Sequence, residues 1–114
     1  MKILTIFGTR PEAVKMAVLV KKIQQIPAIE ARICVTAQHR QMLDQILNLF
    51  HIAADYDLDI MKSRQDLTDV SCGVLSGLRD VFSSFRPDRV LVHGDTTTTF
   101  FASLAAYYHR VPVG

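Results

Sequence analysis

A chain of 114 residues makes one domain or part of one, and such a length buries roughly 65% of the surface its unfolded form exposes. With 49% apolar and 21% charged residues the composition is that of an ordinary globular protein, and a net charge of +2 spread over scattered basic residues gives no basis for a nucleic-acid or membrane partner. Cys34 and Cys72 sit in apolar runs without C-x-x-C spacing, and the apolar stretch behind Met1-Lys2 is too short for a signal-peptide core, so reduced, buried thiols in a soluble cytoplasmic protein are expected.

The run Ile3-Leu4-Thr5-Ile6-Phe7 predicts a parallel strand covered on both faces, broken by Gly8-Thr9-Arg10. Pro11 fits the first position of a helix, where a missing N–H costs nothing, and Ala13, Met16, Ala17, Val20 and Ile23 recur at helical spacing until Pro27. A second strand is predicted over Arg32–Ala37, followed by the polar loop Gln38-His39-Arg40 and a shorter helix with Met42, Leu43, Ile46, Leu47 and Phe50 on its apolar face. Asp55 to Asp59 alternates like a brief edge strand. Its three aspartates resemble the start of a calcium loop, but Ile60 stands where glycine is needed and Asp66 where a bidentate glutamate is needed, so no calcium site is expected.

Asp66 and Asp69 have the spacing of a capping box ahead of a long stripe, Leu67, Val70, Val74, Leu75, Leu78, Val81, Phe82 and Phe85, that ends at Arg86-Pro87. A strand over Arg89–His93 follows, then a helix over about residues 97–109 with Phe100, Phe101, Leu104, Ala105 and Tyr108 inside, then the start of another strand at Val111-Pro112-Val113-Gly114. Buried-type strands alternating with helices predict an α/β fold, a Rossmann-like parallel sheet with flanking helices. A strand entering the sheet without its loop and helix reads as a domain cut short, and the chain is expected to be a fragment.

Parallel strands all leave toward one edge, which gathers the loops Gly8–Arg10, Gln38–Arg40 and Gly94–Thr97 on one rim. Arg10 stands where a capping side chain is usual, and a guanidinium beside free helix N–H groups suits a phosphate. Lys15 adds a cation near the positive helix end, with Glu12 as an internal compensator. Asp95 reads either as a cap of the following helix or as an ionised carboxylate on the rim that accepts a hydrogen bond or proton, and the four threonines after it need polar partners. His93 reads as a core histidine and His39 as the better ligand contact. The four histidines have no metal spacing, and no metal is expected. Neither G-x-G-x-x-G nor G-x-x-x-x-G-K-[ST] occurs, against a dinucleotide dehydrogenase or P-loop NTPase.

Three segments, Phe7-Gly8-Thr9-Arg10-Pro11-Glu12-Ala13-Val14-Lys15-Met16, Val35-Thr36-Ala37-Gln38-His39-Arg40-Gln41-Met42-Leu43-Asp44-Gln45 and Val92-His93-Gly94-Asp95-Thr96-Thr97-Thr98-Thr99, together resemble the amino-terminal part of non-hydrolysing UDP-N-acetylglucosamine 2-epimerases. The resemblance implies the first part of a two-domain GT-B fold with a UDP-sugar in the interdomain cleft. It further implies interconversion of UDP-GlcNAc and UDP-ManNAc through elimination and re-addition of UDP, for cell-surface polysaccharide synthesis, with no cofactor. Arg10 and Lys15 then serve the substrate site and Asp95 is a catalytic acid group. Gln38, His39, Gln41, Arg64 and Gln65 match positions that contact a second, allosteric UDP-GlcNAc. Residues 1–114 correspond to a truncated N-terminal domain; the rest of that domain, a His-x-Glu-Ala-Gly motif and the C-terminal domain are absent, so the chain alone is expected to be inactive. Val18 replaces a proline common in the family, and Phe101 is bulkier than the small residue expected there. The alternative is a non-catalytic nucleotide-sugar-binding or oligomerisation module; in either case a homodimer is expected, and neither nucleic acid nor membrane.

Overall fold

The apolar run behind Met1 forms strand β1 (Lys2–Phe7), in which Leu4, Ile6 and Phe7 are buried because helices cover both faces. The computed structural model describes residues 1–36, 40–59, 66–94 and 97–114, with all their side chains except those of Arg10, Arg40, Gln41, Met42, Leu67 and Thr97. After β1 come helix α1 (Arg10–Gln24), strand β2 (Glu30–Val35), helix α2 (Arg40–Leu49), strand β3 (Tyr56–Asp57), helix α3 (Leu67–Phe85), strand β4 (Arg89–Leu91) and helix α4 (Thr97–Tyr108).

The described strands form one parallel sheet in the order β3-β2-β1-β4. Val113 bridges Val90 in parallel, with Val90 N–H donating to the Pro112 carbonyl and Gly114 N–H to the Val90 carbonyl, so the segment read as a further strand does align beside β4. Side chains alternate between faces along each strand. Leu4, Ile6, Cys34 and Val90 therefore meet α3 and α4, while Phe7, Ile33 and Val35 meet α1 and α2. This is the Rossmann-like α/β architecture expected. Each fully buried Leu, Ile or Phe in these two layers contributes about 1.5–3 kcal/mol relative to exposure.

The apolar stripes of α1 and α3 turn inward as their spacing predicts, and the Asp66 capping box forms: Asp69 N–H donates to Asp66 Oδ1 at 2.8 Å and Asp66 N–H to Asp69 Oδ2 at 3.2 Å. Four local expectations are corrected. Strand β2 starts at Glu30, because pairing with β1 along its whole length recruits two residues that hydropathy alone passes over. Strand β4 stops at Leu91, since only Ile3–Thr5 of β1 pair with it; Val92 is apolar because it packs on the α3/α4 core.

Helix α4 is apolar around most of its circumference, and the face it buries is the small one, Thr98, Ala102, Ala105 and Ala106, which lets it lie close to β1 and α3. Phe100 (64% exposed) and Tyr108 (65%), read as interior, point outward. Cys72 is exposed: two residues from Val70 on α3 is about 200° around the helix, on the opposite face. Cys34 is the buried thiol of the expectation, and burial, with a lesser contribution from the Asp57 charge, pushes it up to about 12.

Candidate functional site

The strand order reverses between β1 and β4, and in open α/β sheets the crevice at such a reversal, outside the carboxyl ends of the strands, is where ligands bind. Its walls are the Gly8-Thr9 turn leaving β1 and the Val92-His93-Gly94 segment leaving β4. Gly94 has φ +94°, a conformation that favours glycine and lets the backbone turn abruptly at the strand end.

The β1 turn is organised by Glu12. Its carboxylate is buried, and Oε2 accepts from Gly8 N–H at 2.8 Å and from Thr9 N–H at 3.4 Å. Thr9 is the N-cap of α1 and Glu12 its third residue, so the two face each other as a capping box. The carboxylate half is the long 3.4 Å bond from Thr9 N–H, the short one coming from Gly8 just outside the box, and the buried Thr9 hydroxyl makes no full hydrogen bond. Arg10 is thus the first helical residue and Pro11 the second; the cap is Thr9, and Arg10 displaces no capping side chain. Lys15 is exposed on α1 and forms no ion pair among the described residues; Glu12, expected to offset it, is turned into the Gly8-Thr9 turn.

At the same edge of the sheet, Thr36, just past β2, and Thr98, in the first turn of α4, are both fully buried with their hydroxyl oxygens 3.0 Å apart. Thr36 N–H also donates to the Phe7 carbonyl, and the Thr99 hydroxyl donates to the His93 carbonyl at 2.7 Å. The need for polar partners inferred from the threonine run is met at Thr98 and Thr99. His93 is exposed beyond the end of β4, which overturns its reading as a core histidine: the strand ends before it, so no layer covers it.

Asp95, Gln38, His39, Arg64 and Gln65 lie outside the described residues, as do the side chains of Arg10 and Gln41. Of the chain on either side of Asp95, Gly94 and the first turn of α4 stand at this edge. Thr36 is a site residue that the spacing arguments did not single out, and Glu12 was named only as a compensator of Lys15, not as the group that holds the turn. The signal for Glu12 was present as Thr9-x-x-Glu12, a capping-box spacing masked by placing Pro11 first in the helix. Among the described residues no three His, Cys, Asp or Glu side chains gather as metal ligands, and no helix is long and apolar enough to cross a membrane. A cavity of about 410 Å³ near the C-terminal ends of α3 and α4 includes Arg86, His109 and Arg110 in its lining, but helix C-termini, with their partial negative charge, oppose an anion there.

Parallel strands ordered 3-2-1-4, helices on both faces and a crevice at the reversal define a Rossmann-like α/β domain. A family model described as UDP-N-acetylglucosamine 2-epimerase matches residues 21–114, and the chain belongs to that family. It is 63% identical over all 114 residues to the UDP-N-acetylglucosamine 2-epimerase of Yersinia pestis, covering 30% of that protein. It is also similar to the crystal structure of UDP-GlcNAc 2-epimerase from Neisseria meningitidis bound to UDP-GlcNAc (59% identity, TM-score 0.93, 100% of this chain and 31% of that one). The Methanocaldococcus jannaschii enzyme in complex with UDP-GlcNAc and UDP matches at 26% identity with a TM-score of 0.92, over 100% of this chain and 32% of that one. The chain spans about 30% of the length of the curated relatives it matches.

Proposed function

We propose that this chain forms the N-terminal Rossmann-like part of a GT-B-type UDP-GlcNAc 2-epimerase, which interconverts UDP-GlcNAc and UDP-ManNAc by eliminating UDP and adding it back with inversion at carbon 2. The observation that carries the reading is the match across the whole chain to the Neisseria meningitidis structure bound to UDP-GlcNAc, at 59% identity and a TM-score of 0.93. In this reading the nucleotide sugar enters the crevice between β1 and β4. Arg10 and Lys15 meet its anionic part, and Asp95 is one of the groups that move a proton at the sugar ring. Gln38, His39, Gln41, Arg64 and Gln65 contact a second UDP-GlcNAc that regulates the first. The product feeds cell-surface polysaccharide synthesis from the cytoplasm, and the enzyme is a homodimer.

The 114 residues assayed by themselves bind nucleotide sugar weakly and do not turn it over, because positioning and charge stabilisation in a bipartite site need both walls. An NMR titration of the chain with UDP-GlcNAc tests the site: shifts at Gly8 and Gly94 that are lost in Arg10→Ala support it, and a spectrum unmoved at millimolar ligand overturns it. Robust formation of UDP-ManNAc by the chain refutes the claim of inactivity. A second reading, a non-catalytic binding or association module, is favoured by exposed apolar side chains, Val14, Val18 and Leu19 on α1 and Phe100, Tyr107 and Tyr108 on α4. Sedimentation equilibrium decides it, a monomer at micromolar concentration counting against association.

A further inference from the structure

Helix α4 carries two apolar faces that compete for the interior. Thr98, Ala102, Ala105 and Ala106 are buried, while Phe101 and Leu104 are half-buried and Tyr108 is exposed. At 3.6 residues per turn, Phe101, Leu104 and Tyr108 form a second face roughly 100° around the helix from the first. Large side chains bury more apolar area than alanines, so area alone favours the other rotation. The alanines allow the close approach to β1 but have no group that bonds directionally. The hydroxyl pair does: Thr98 Oγ1 lies 3.0 Å from Thr36 Oγ1, with both residues fully buried. Thr36 gives it a fixed reference. Its N–H donates to the Phe7 carbonyl at 3.1 Å, and the Val35 carbonyl before it accepts from Leu58 N–H at 2.9 Å, so the chain here is held from both neighbouring sides of β2.

From this geometry we propose that Thr36 is a positioning residue of the crevice: through the Thr98 hydroxyl it selects the rotation of α4, and so sets how the first turn of α4 stands at the sheet edge. A satisfied polar pair in an apolar layer specifies one arrangement, because any other rotation leaves the Thr36 hydroxyl buried without this partner. The next residue of α4 carries the effect to the crevice wall. The Thr99 hydroxyl donates to the His93 carbonyl at 2.7 Å, joining the same turn to the Val92-His93-Gly94 segment. A rotation of α4 breaks that bond as well and displaces the wall. Thr36, Thr98, Thr99 and His93 thus connect the end of β2 to the segment that leaves β4. The effect on a ligand rests on the reading of the crevice as the nucleotide-sugar site; the rotation of α4 does not.

The test compares Thr36→Val with Thr36→Ser in this chain. It follows the NOEs from the Ala102, Ala105 and Ala106 methyls to β1, the amide shifts of His93, Gly94 and Thr99, and titration with UDP-GlcNAc. Valine keeps the shape and removes the hydroxyl; serine keeps the hydroxyl and leaves a gap where the methyl was. Both lower stability, by different routes. Only Thr36→Val is expected to weaken the alanine NOEs, to move the His93, Gly94 and Thr99 amides and to weaken UDP-GlcNAc about ten-fold, with Thr36→Ser within about three-fold of the parent chain. A residue that only adds stability gives two variants alike in NOEs, shifts and affinity. Alanine NOEs as strong in Thr36→Val as in Thr36→Ser therefore overturn the positioning role, and Thr98→Val read against Thr98→Ser decides it where Thr36→Val fails to fold. A rotated α4 with unchanged affinity overturns the effect on a ligand. Absence of any UDP-GlcNAc binding in the parent chain overturns the site reading, and the NOEs then decide the rotation by themselves.

Discussion

Replacing Thr98 with valine removes one hydroxyl from a pair wholly excluded from water, Thr36 Oγ1 and Thr98 Oγ1 at 3.0 Å. The loss leaves the Thr36 hydroxyl buried without that partner, at a cost of about 1–3 kcal/mol, and Thr36→Val should cost a similar amount for the converse reason. Thr98 takes part in further interactions, so its substitution should be the more costly. With both residues valine no unmatched hydroxyl of the pair remains, and the double variant should lose about 1–2 kcal/mol less than the sum of the single losses. Urea denaturation followed by circular dichroism measures the cycle. At a slope of about 1–2 kcal/mol/M each single substitution moves the midpoint by about 1 M, well beyond experimental scatter. Single costs that simply add to the double cost, within about 0.5 kcal/mol, would refute a buried hydroxyl tie between the end of β2 and the first turn of α4.

Gly94→Ala should destabilise by about 1–2 kcal/mol, since φ +94° is open to glycine and strained for alanine, and a thermal melt that rises instead would show the turn is not held in that conformation. Arg86 ends α3 in the left-handed region at φ 52°, where glycine is preferred, so Arg86→Gly should gain about 0.5–1 kcal/mol, read as a Tm increase of a few degrees. Cys34 is pushed from its ordinary 9.0 to about 12, so the folded state holds the neutral thiol: stability is intact below pH 9 and falls by about 1.4 kcal/mol per pH unit above it, until Cys34 itself ionises near pH 12. That alkaline slope should be shallower in Cys34→Ala, and in the native protein at pH 8 a thiol reagent should label Cys72 and spare Cys34.

Much of the fold was legible because its physics is local. Four apolar residues and one threonine between Lys2 and Gly8, stripes at 3.6-residue spacing and the Asp66-x-x-Asp69 cap each specify an element without reference to the rest of the chain, and the alternation of strand and helix leaves a parallel sheet as the consistent assembly. What misled was symmetry in hydrophobicity. Helix α4 has apolar side chains on most sides, so periodicity cannot say that its alanines rather than Phe100 and Tyr108 meet the sheet; the close approach of α4 to β1 decides that. Cys72 and His93 were misplaced for related reasons, the first by a run of apolar neighbours on other faces of α3, the second by a strand that ends earlier than its hydropathy.

By itself, then, the order of residues determined the strand and helix sequence, the common edge shared by the loops after each strand, and the three motifs that link the chain to its family. The tertiary structure alone decided that the reversal falls between β1 and β4, that Glu12 turns into the Gly8-Thr9 turn, and that Thr36 meets Thr98. The two hydroxyls are 62 residues apart in sequence. Contacts across such separations form only once the sheet has been assembled, because the packing of helices on strands, not any local preference, provides the free energy that brings them together.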